Sequence, residues 1–354
     1  MTAAERPLRA LMVTCAWPPP DRPGFTTNFI RRQVEFLRAA GVEVDVFHFT
    51  SAMRPGNYLS AWVGLRRELV RHRYDLMHAQ FGQSGIVALP KRLPLVVTFR
   101  GDDLQGIVGR DLRVTPAGRL LQQVSRWVAR AADACIVVSE HMKEFLPASV
   151  SAHVIPSGLD LEQFRPMSRD AARARLGLPP EKPLVLFVGN PAVDRKRLPL
   201  ARAAMDILNR TLDAELIIAW KVRHADVPWW MNACDALLFT SMQEGSPNAV
   251  KEALACNLPV VSVPVGDVAQ RIGGVAGCEL CPDERPESLA AALARVLQRG
   301  QRAAGRAAVQ DLDERRLVQQ VIGVYRSVLS RRPGWQPAQT VDLDARRRSR
   351  VPAA

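Results

Sequence analysis

The sequence predicts an α/β protein made of two Rossmann-like, doubly wound parallel-sheet domains. Short continuous apolar runs alternate with helical patterns, which is typical of parallel strands covered by helices on both faces. The alternation stops in a segment rich in Pro, Arg and Gly at residues 164–183 and then starts again. A length of 354 residues also suits two domains.

The first domain is expected at residues 1–163 and the second at 184–312, with a linker at 164–183. In the first domain we expect strands at 8–14, 42–49, 75–79, 95–99, 134–139 and 153–155, and helices at 27–40, 58–73 and 115–131. In the second we expect strands at 184–189, 214–220, 236–240 and 259–263, and helices near 198–208, 227–233, 248–255 and 286–298. A C-terminal amphipathic helix is expected at 313–331, followed by a disordered basic tail at 332–354.

Composition and charge exclude several classes of protein. With 47% hydrophobic and 23% charged residues the chain can form real cores, and it contains no run of 18 apolar residues and no signal-peptide pattern. We therefore expect a cytoplasmic enzyme. The net charge of +13 is spread evenly along the chain, which favours binding of phosphates or of an anionic membrane over a dedicated nucleic-acid domain. The apolar and arginine-rich helix at 58–73 suits either peripheral membrane contact or ordinary packing on the sheet.

The segment 241–256 carries the clearest chemical signal. It places Glu244 in a loop after a buried strand, Ser246 at the expected N-cap of a helix and Pro247 at its first position. The free amides of that helix would face the crevice at the carboxyl end of the sheet, where anions bind readily. Glu252, a little over one turn further, can accept two hydrogen bonds from a ribose diol. The pattern suits a ligand with both phosphates and hydroxyls.

This segment resembles the Glu-x7-Glu signature of retaining glycosyltransferases of the GT-B fold, in particular glycosyltransferase family 4. Similar segments occur in the family's order along most of the chain, at residues 14–24, 75–82, 97–103, 138–140, 155–164 and 187–196. The resemblance implies two domains facing a central cleft and a C-terminal helix that crosses back to the first domain. It also implies transfer of a sugar from a nucleotide-diphosphate-sugar donor to an acceptor, with retention of the anomeric configuration.

The resemblance further implies a role for each matched residue. Glu252 would bind the ribose, Glu244 the hydroxyls of the transferred sugar, and Lys196 with Arg195 the diphosphate. The residues expected to act in catalysis are Glu244, Lys196, Arg195, Arg100 and Asp103. The residues expected to bind the donor are Glu252, Gly245, Ser246, Pro247, Asn248, Ala249, Gly189, Gly24 and His78. For His78, a satisfied histidine at a strand end is an equal alternative.

No metal or other cofactor is implied, because Asp102 and Asp103 are adjacent and form no Asp-x-Asp motif. The chain also departs from the family's pattern. Arg100 stands where the family often has a His that contacts the donor sugar, and Asn190 stands where an Arg is common. A single glycine, Gly24, replaces a pair, and the shorter stretch from 189 to 244 leaves the nucleobase open.

Three other functions are weighed against a transferase. A Rossmann dehydrogenase would need Gly-x-Gly-x-x-Gly after the first strand, where this chain has Cys-Ala-Trp-Pro-Pro-Pro at 15–20. A nucleotide-sugar epimerase or hydrolase shares the two-domain shape but needs no acceptor. A non-catalytic sugar-nucleotide-binding subunit is the third. The acceptor of a transferase could be a saccharide, a lipid-linked saccharide or a small natural product.

Overall fold

The computed structural model describes residues 6–17, 28–51, 54–109, 111, 113–333 and 335. The loop that contains Gly24 and most of the expected tail at 332–354 lie outside the described residues.

The first domain is a six-stranded parallel sheet. Its strands are β1 (Arg9–Thr14), β2 (Glu43–His48), β3 (Leu76–Gln80), β4 (Leu95–Phe99), β5 (Ala134–Val137) and β6 (Ala152–Val154), in the order β2-β1-β3-β4-β5-β6. Its helices are α1 (Asn28–Ala39), α2 (Pro55–Arg71), α3 (Gly82–Ala88), α4 (Asp102–Gln105) and α5 (Pro116–Ala131).

The alternation of side chains along β1 gives this sheet a core on each face. Ala10 and Met12 pack in one core with Val34 of α1, whereas Leu11 and Val13 pack in the other with Leu65 of α2. Helices α2, α3 and α5 therefore cover one face and α1 covers the other. Both faces are buried, as the continuous apolar runs predict.

The second domain is a five-stranded parallel sheet. Its strands are β7 (Leu184–Val188), β8 (Glu215–Ala219), β9 (Ala236–Phe239), β10 (Val260–Ser262) and β11 (Glu279–Leu280), in the order β11-β10-β9-β7-β8. Its helices are α7 (Leu198–Leu208), α8 (Val227–Ala233), α9 (Asn248–Ala255), α10 (Val268–Ile272) and α11 (Pro286–Arg299). The predicted fold class, two doubly wound parallel-sheet domains, is confirmed.

The segment 164–183 contains a helix that the sequence analysis does not anticipate, α6 (Arg169–Leu176). The Ser168 side chain caps its first turn by accepting from the Ala171 amide, and Gly177 ends it in the left-handed conformation at φ +65°. Buried Arg173 anchors it to the second domain through the Ala233 carbonyl and the Asp235 carboxylate. Much of the expected linker is thus packed structure.

The last helix, α12 (Glu314–Leu329), leaves the second domain and packs on α1 of the first. Leu159 fixes the crossing point, because its amide donates to the Leu312 carbonyl and its carbonyl accepts from the Glu314 amide. The two sheets each reverse strand order, between β1 and β3 and between β7 and β9. Ligands of such folds bind at these switch points, beyond the carboxyl ends of the strands.

Candidate active site

A cavity of about 600 Å³ lies between the two domains, at the carboxyl ends of both sheets. All of the predicted site residues other than Gly24 and His78 line this cavity. Gly24 lies outside the described residues. The structure therefore brings residues from both halves of the chain together, while their individual roles remain predictions.

Glu244, in the loop after β9, is the centre of a charged cluster on the second-domain wall. Its Oε1 accepts from Lys196 Nζ at 2.5 Å and from Arg195 Nη1 at 3.1 Å. Both cations sit on the short turn after β7, so two neighbouring strand ends supply the cluster. Burial tends to raise the pKa of Glu244, but the charges of Lys196 and Arg195 hold the pKa below its ordinary value. Glu244 is ionised at neutral pH.

The helix that follows, α9, begins one residue later than predicted. Pro247 occupies the N-cap and Asn248 is the first helical residue, so the prediction of a Ser246 cap is wrong. The Ser246 hydroxyl donates instead to the Asp267 carboxylate at 2.8 Å, a charged acceptor from a distant loop. Intrahelical bonding starts at the Lys251 amide, which leaves the preceding amides at the cavity.

Glu252 faces the same cavity from α9 and is only 6% exposed. Its Oε1 lies 3.3 Å from Nε2 of His224, a residue that the sequence analysis does not identify. Burial tends to raise the pKa of Glu252, but the hydrogen bond and charge of His224, with Arg32 and Lys251, bring the pKa below its ordinary value. A buried carboxylate with one polar partner can still accept from ligand hydroxyls.

On the first-domain wall, Asp103 organises a loop. Its Oδ1 accepts from the amides of Arg100 and Gly101, and its Oδ2 accepts from the amide of Gly82. Burial raises the pKa of Asp103, although these three backbone donors oppose that shift. The side chain thus fixes the ends of β3 and β4 relative to each other, and the catalytic role expected from the sequence stays a prediction.

Arg100 extends from the end of β4 along the cavity wall. Its Nε donates to Gln80 at 2.9 Å, its Nη1 to the Ser157 hydroxyl at 2.6 Å, and its Nη2 to Gln33 at 3.3 Å. The guanidinium also lies over the ring of Phe29, 4.5 Å from the centroid. Arg100 is therefore held at the cavity and does not point to solvent.

His78 does not line the cavity, so its expected place among the donor-binding residues is not supported. It is fully buried, with Nδ1 2.6 Å from the Tyr325 hydroxyl and Nε2 2.7 Å from the Thr98 hydroxyl. Burial, reinforced by the charge of Arg100, lowers the pKa of His78 to about 3, so the ring is neutral. The alternative of a satisfied histidine at a strand end describes it better.

Several side chains that the sequence analysis passes over also reach the site. Arg32 and Gln33 are buried on the inner face of α1, between the core residues Ile30 and Val34. Two polar residues within an apolar helix face were the signal that could have identified them. Ser157 lies just after β6, within the family-like segment 155–164, and contacts both Arg100 and Lys251, although the sequence analysis gives it no role.

The loop that carries Glu244 is fastened to the first domain by three hydrogen bonds. The Ser139 hydroxyl donates to the Gly245 carbonyl at 2.8 Å, and Gln105 Nε2 donates to the Glu244 carbonyl at 3.2 Å. Gln243 Nε2 donates in the opposite direction, to the Gly106 carbonyl at 2.7 Å. The two walls are thus in direct contact beside the cavity.

Two further features of the described residues bear on function. No cluster of three or more His, Cys, Asp or Glu side chains within the described ranges is arranged to hold a metal ion. In the same part of the chain, no helix combines the length and the apolar character needed to span a bilayer.

Family models match both walls of this site. The model of Glycosyltransferase Family 4 matches residues 24–163, and that of Glycosyl transferases group 1 matches residues 185–299. The chain belongs to glycosyltransferase family 4.

Curated relatives include other members of this family. A D-inositol 3-phosphate glycosyltransferase of Catenulispora acidiphila is 30% identical over 253 residues, which cover 58% of this chain and 59% of that protein. One from Nocardiopsis dassonvillei is 28% identical, and the alignment covers 63% and 62% of the two chains. The family 4 chain thus spans about three fifths of the length of these two relatives.

Solved structures show the same two-domain arrangement, the GT-B fold. Sucrose-phosphate synthase from Thermosynechococcus elongatus superposes with a TM-score of 0.78 at 20% identity, covering 92% of this chain and all of that one. HepE from Anabaena, solved with UDP-glucose, gives a TM-score of 0.67 at 17% identity and covers 90% of this chain and all of that one. At these identities the likeness establishes the fold of the family 4 chain and nothing finer.

Proposed function

We propose that this chain transfers a sugar from a nucleoside diphosphate sugar to a saccharide, lipid-linked or small-molecule acceptor, with retention of the anomeric configuration. The main support for this proposal is the pairing of Glu244 with Lys196 and Arg195 beside the start of α9, with Glu252 one turn further along that helix. Cations and free helix amides suit a diphosphate, and the two carboxylates suit the hydroxyls on either side of it.

The proposed chemistry separates charge at the diphosphate. The bond between the anomeric carbon and the diphosphate oxygen breaks, and the acceptor oxygen bonds to the same face of that carbon. The acceptor proton passes to the departing phosphate oxygen, so the step balances without an added base. Lys196 and Arg195 would stabilise the negative charge that grows on the leaving group. Glu244 would exchange these cations for hydroxyls of the sugar.

The names of the relatives are compatible with this proposal. HepE was solved with UDP-glucose and starch synthase IV of Arabidopsis thaliana with ADP and acarbose, so related folds hold nucleotides together with saccharides. These two names differ in the nucleobase, uracil in one and adenine in the other. The experiment below therefore has to determine which nucleobase this chain binds.

The test begins with a panel of nucleoside diphosphates and their sugars, read as shifts in melting temperature, because a ligand of the native state raises it. The stabilising donor is then incubated with acceptors, and release of nucleoside diphosphate is measured. Release that depends on the acceptor supports a transferase. Release or isomerisation without acceptor indicates a hydrolase or epimerase, and binding without either indicates a non-catalytic subunit.

We also propose that the first domain contacts an anionic membrane surface through α2 and α5. Five of the six exposed large hydrophobic residues found in the described part of the chain lie on these two helices: Leu59, Trp62, Val70, Leu120 and Trp127. Both helices flank α3 on the same face of the sheet. Apolar side chains concentrated on one face favour an interface rather than scattered exposure.

Arginines surround the apolar groove on α2. Trp62 and Val70 line it together with Arg66, Arg67 and Arg92, and Arg66 lies 4.9 Å from the centre of the Trp62 ring. Aromatic and aliphatic side chains ringed by cations suit the headgroup region of anionic lipids.

Sedimentation with vesicles tests the membrane proposal. Wild type should bind vesicles with anionic headgroups and not neutral ones, and high salt should weaken binding. The double variant L59S/V70S should lose binding. The control variant L280S should keep it, because Leu280 is the exposed large hydrophobic residue of the described set that lies outside α2 and α5. Equal binding by all three proteins would refute the assignment of this surface.

A further inference from the structure

We propose that the first-domain wall of the cavity contains a subsite for an anionic group of the substrate, a carboxylate or phosphate, formed by Arg100 and Arg32. The anion would belong either to the transferred sugar or to the acceptor. This inference rests on the proposed function and narrows its class of substrate.

The surroundings of Arg100 hold its charge in place without neutralising it. All three of its hydrogen-bond acceptors, Gln80, Gln33 and the Ser157 hydroxyl, are uncharged. A guanidinium has five N–H donors, so donors remain for a ligand. The acceptors are themselves buried, which fixes the guanidinium at the cavity wall before any ligand arrives. A charge positioned in this way suits a fixed anionic partner.

Arg32 supplies a second cation on the same wall. Its side chain lines the cavity and is 6% exposed overall. Nε donates to Glu314 at 3.1 Å and Nη2 to the Gly158 carbonyl, whereas Nη1 has no acceptor among the described residues. A buried donor without an acceptor is costly, so a ligand oxygen that reached it would stabilise the complex.

Of these two arginines, only Arg32 has a side-chain contact with a carboxylate among the described residues. Lys251 is also buried beside them, and its Nζ donates to the Ser157 carbonyl at 2.8 Å. Glu314 is ion-paired with Arg32, and the carboxylate of Asp103 is bound to backbone amides. Burial lowers the pKa of Arg100 to about 10, so it stays charged at neutral pH. The Arg100 guanidinium therefore carries a charge that no carboxylate of the described residues contacts directly.

The opposite wall already has cations for the diphosphate. Arg195 and Lys196 lie beside the start of α9, next to the carboxylates assigned to the ribose and the sugar. A substrate that carried only the diphosphate would leave the Arg100 guanidinium without a charged partner in direct contact. Two separate pairs of cations, one on each wall, match a substrate with one more anionic group.

The experiment uses the full chain and the nucleoside diphosphate that stabilises it most. In one arm, the free protein is titrated with that nucleotide carrying a neutral hexose or the corresponding hexuronic acid. In the other arm, protein saturated with the nucleoside diphosphate is titrated with glucose or glucose 6-phosphate. Preference for the acid in the first arm places the anion on the transferred sugar, and preference in the second places it on the acceptor.

We expect wild type to bind the anionic member of one pair roughly 10- to 100-fold more tightly, the range for a hydrogen bond to a charged group. R100Q should reduce that ratio to about threefold or less while binding the unsubstituted nucleoside diphosphate as before, which shows that it is folded. R271Q is the matched control, because Arg271 is half-buried nearby but paired with Asp267 and Asp311. It should keep the full preference.

Two results would overturn the proposal. One is a wild-type ratio near one in both arms. The other is loss of nucleoside diphosphate affinity in R100Q, which would place Arg100 on the diphosphate itself. Failure of every nucleoside diphosphate to bind would instead contradict the proposed function, so the two failures are distinguishable.

Discussion

Replacing Glu244 with Gln is expected to tighten the binding of nucleoside diphosphate, although the same change should reduce transfer. Without ligand, Glu244 occupies the two cations assigned to the diphosphate, at 2.5 Å from Lys196 and 3.1 Å from Arg195. A nucleotide must compete with this carboxylate. Gln keeps the shape of the side chain but removes the charge, so the competition weakens.

The magnitude follows from these two contacts. The donors stay charged in E244Q, so each contact changes from an ion pair to a hydrogen bond between a cation and a neutral oxygen. We take the loss per contact as about 1 kcal/mol, the upper end of the range for partly exposed ion pairs. Two contacts give roughly 2 kcal/mol, or a dissociation constant lowered by about 30-fold. Transfer should fall nonetheless, because Glu244 is also assigned to the sugar hydroxyls.

Titration calorimetry with the nucleoside diphosphate checks this, and E252Q is the matched comparison. Glu252 contacts His224 rather than the two cations and is assigned to the ribose, so the same Glu→Gln change should weaken binding. Opposite signs for the two variants support the assignments. Unchanged or weaker binding in E244Q would show that Lys196 and Arg195 do not hold the diphosphate.

The remaining predictions concern pH, metal and the buried histidine. Burial lowers the pKa of Lys251 to about 7, so the unfolded state binds more protons between about pH 7 and 10, and the free energy of unfolding should rise by a few kcal/mol across that window; urea titrations should show this rise in wild type and not in K251M. Transfer should proceed at an unchanged rate in excess EDTA, and loss that added Mg²⁺ or Mn²⁺ restores would refute the metal-free scheme. H78L should lower the free energy of unfolding by about 1–3 kcal/mol, because Tyr325 and Thr98 lose their buried partner; unchanged nucleotide affinity in the folded variant would separate this role from ligand binding.

The sequence predicts the second-domain wall well because its determinants are local. One contiguous segment contains Glu244 and Glu252, and helical geometry alone places them on either side of the start of α9. The strands could also be predicted locally, because a strand that is buried on both faces appears in the sequence as a continuous apolar run. The ends of these apolar runs also locate Gln80 at the end of β3 and Arg100 directly after β4.

Features that depend on distant partners could not be predicted. Ser246 looks like a cap until Asp267, 21 residues away, accepts its hydroxyl. Strand alternation predicts the face of the sheet on which the His78 side chain lies. That side chain is buried there because it packs against Tyr325, which comes 247 residues later in the chain. The short helix α3 begins with glycines, which disfavour helices, and the reason lies in packing. A Cβ at Gly82 or Gly85 would collide with Ser125 or Val128 of α5.

The return of α12 to α1 also bears on how the chain is made. A nascent first domain would emerge from the ribosome with Arg32 lacking Glu314, its only direct ion-pair partner within the described residues, and with His78 lacking Tyr325. Both partners arrive only after the whole second domain has been synthesised. The core of the first domain is therefore complete only after α12 has been synthesised, and expression of residues 1–163 alone should yield an aggregation-prone fragment.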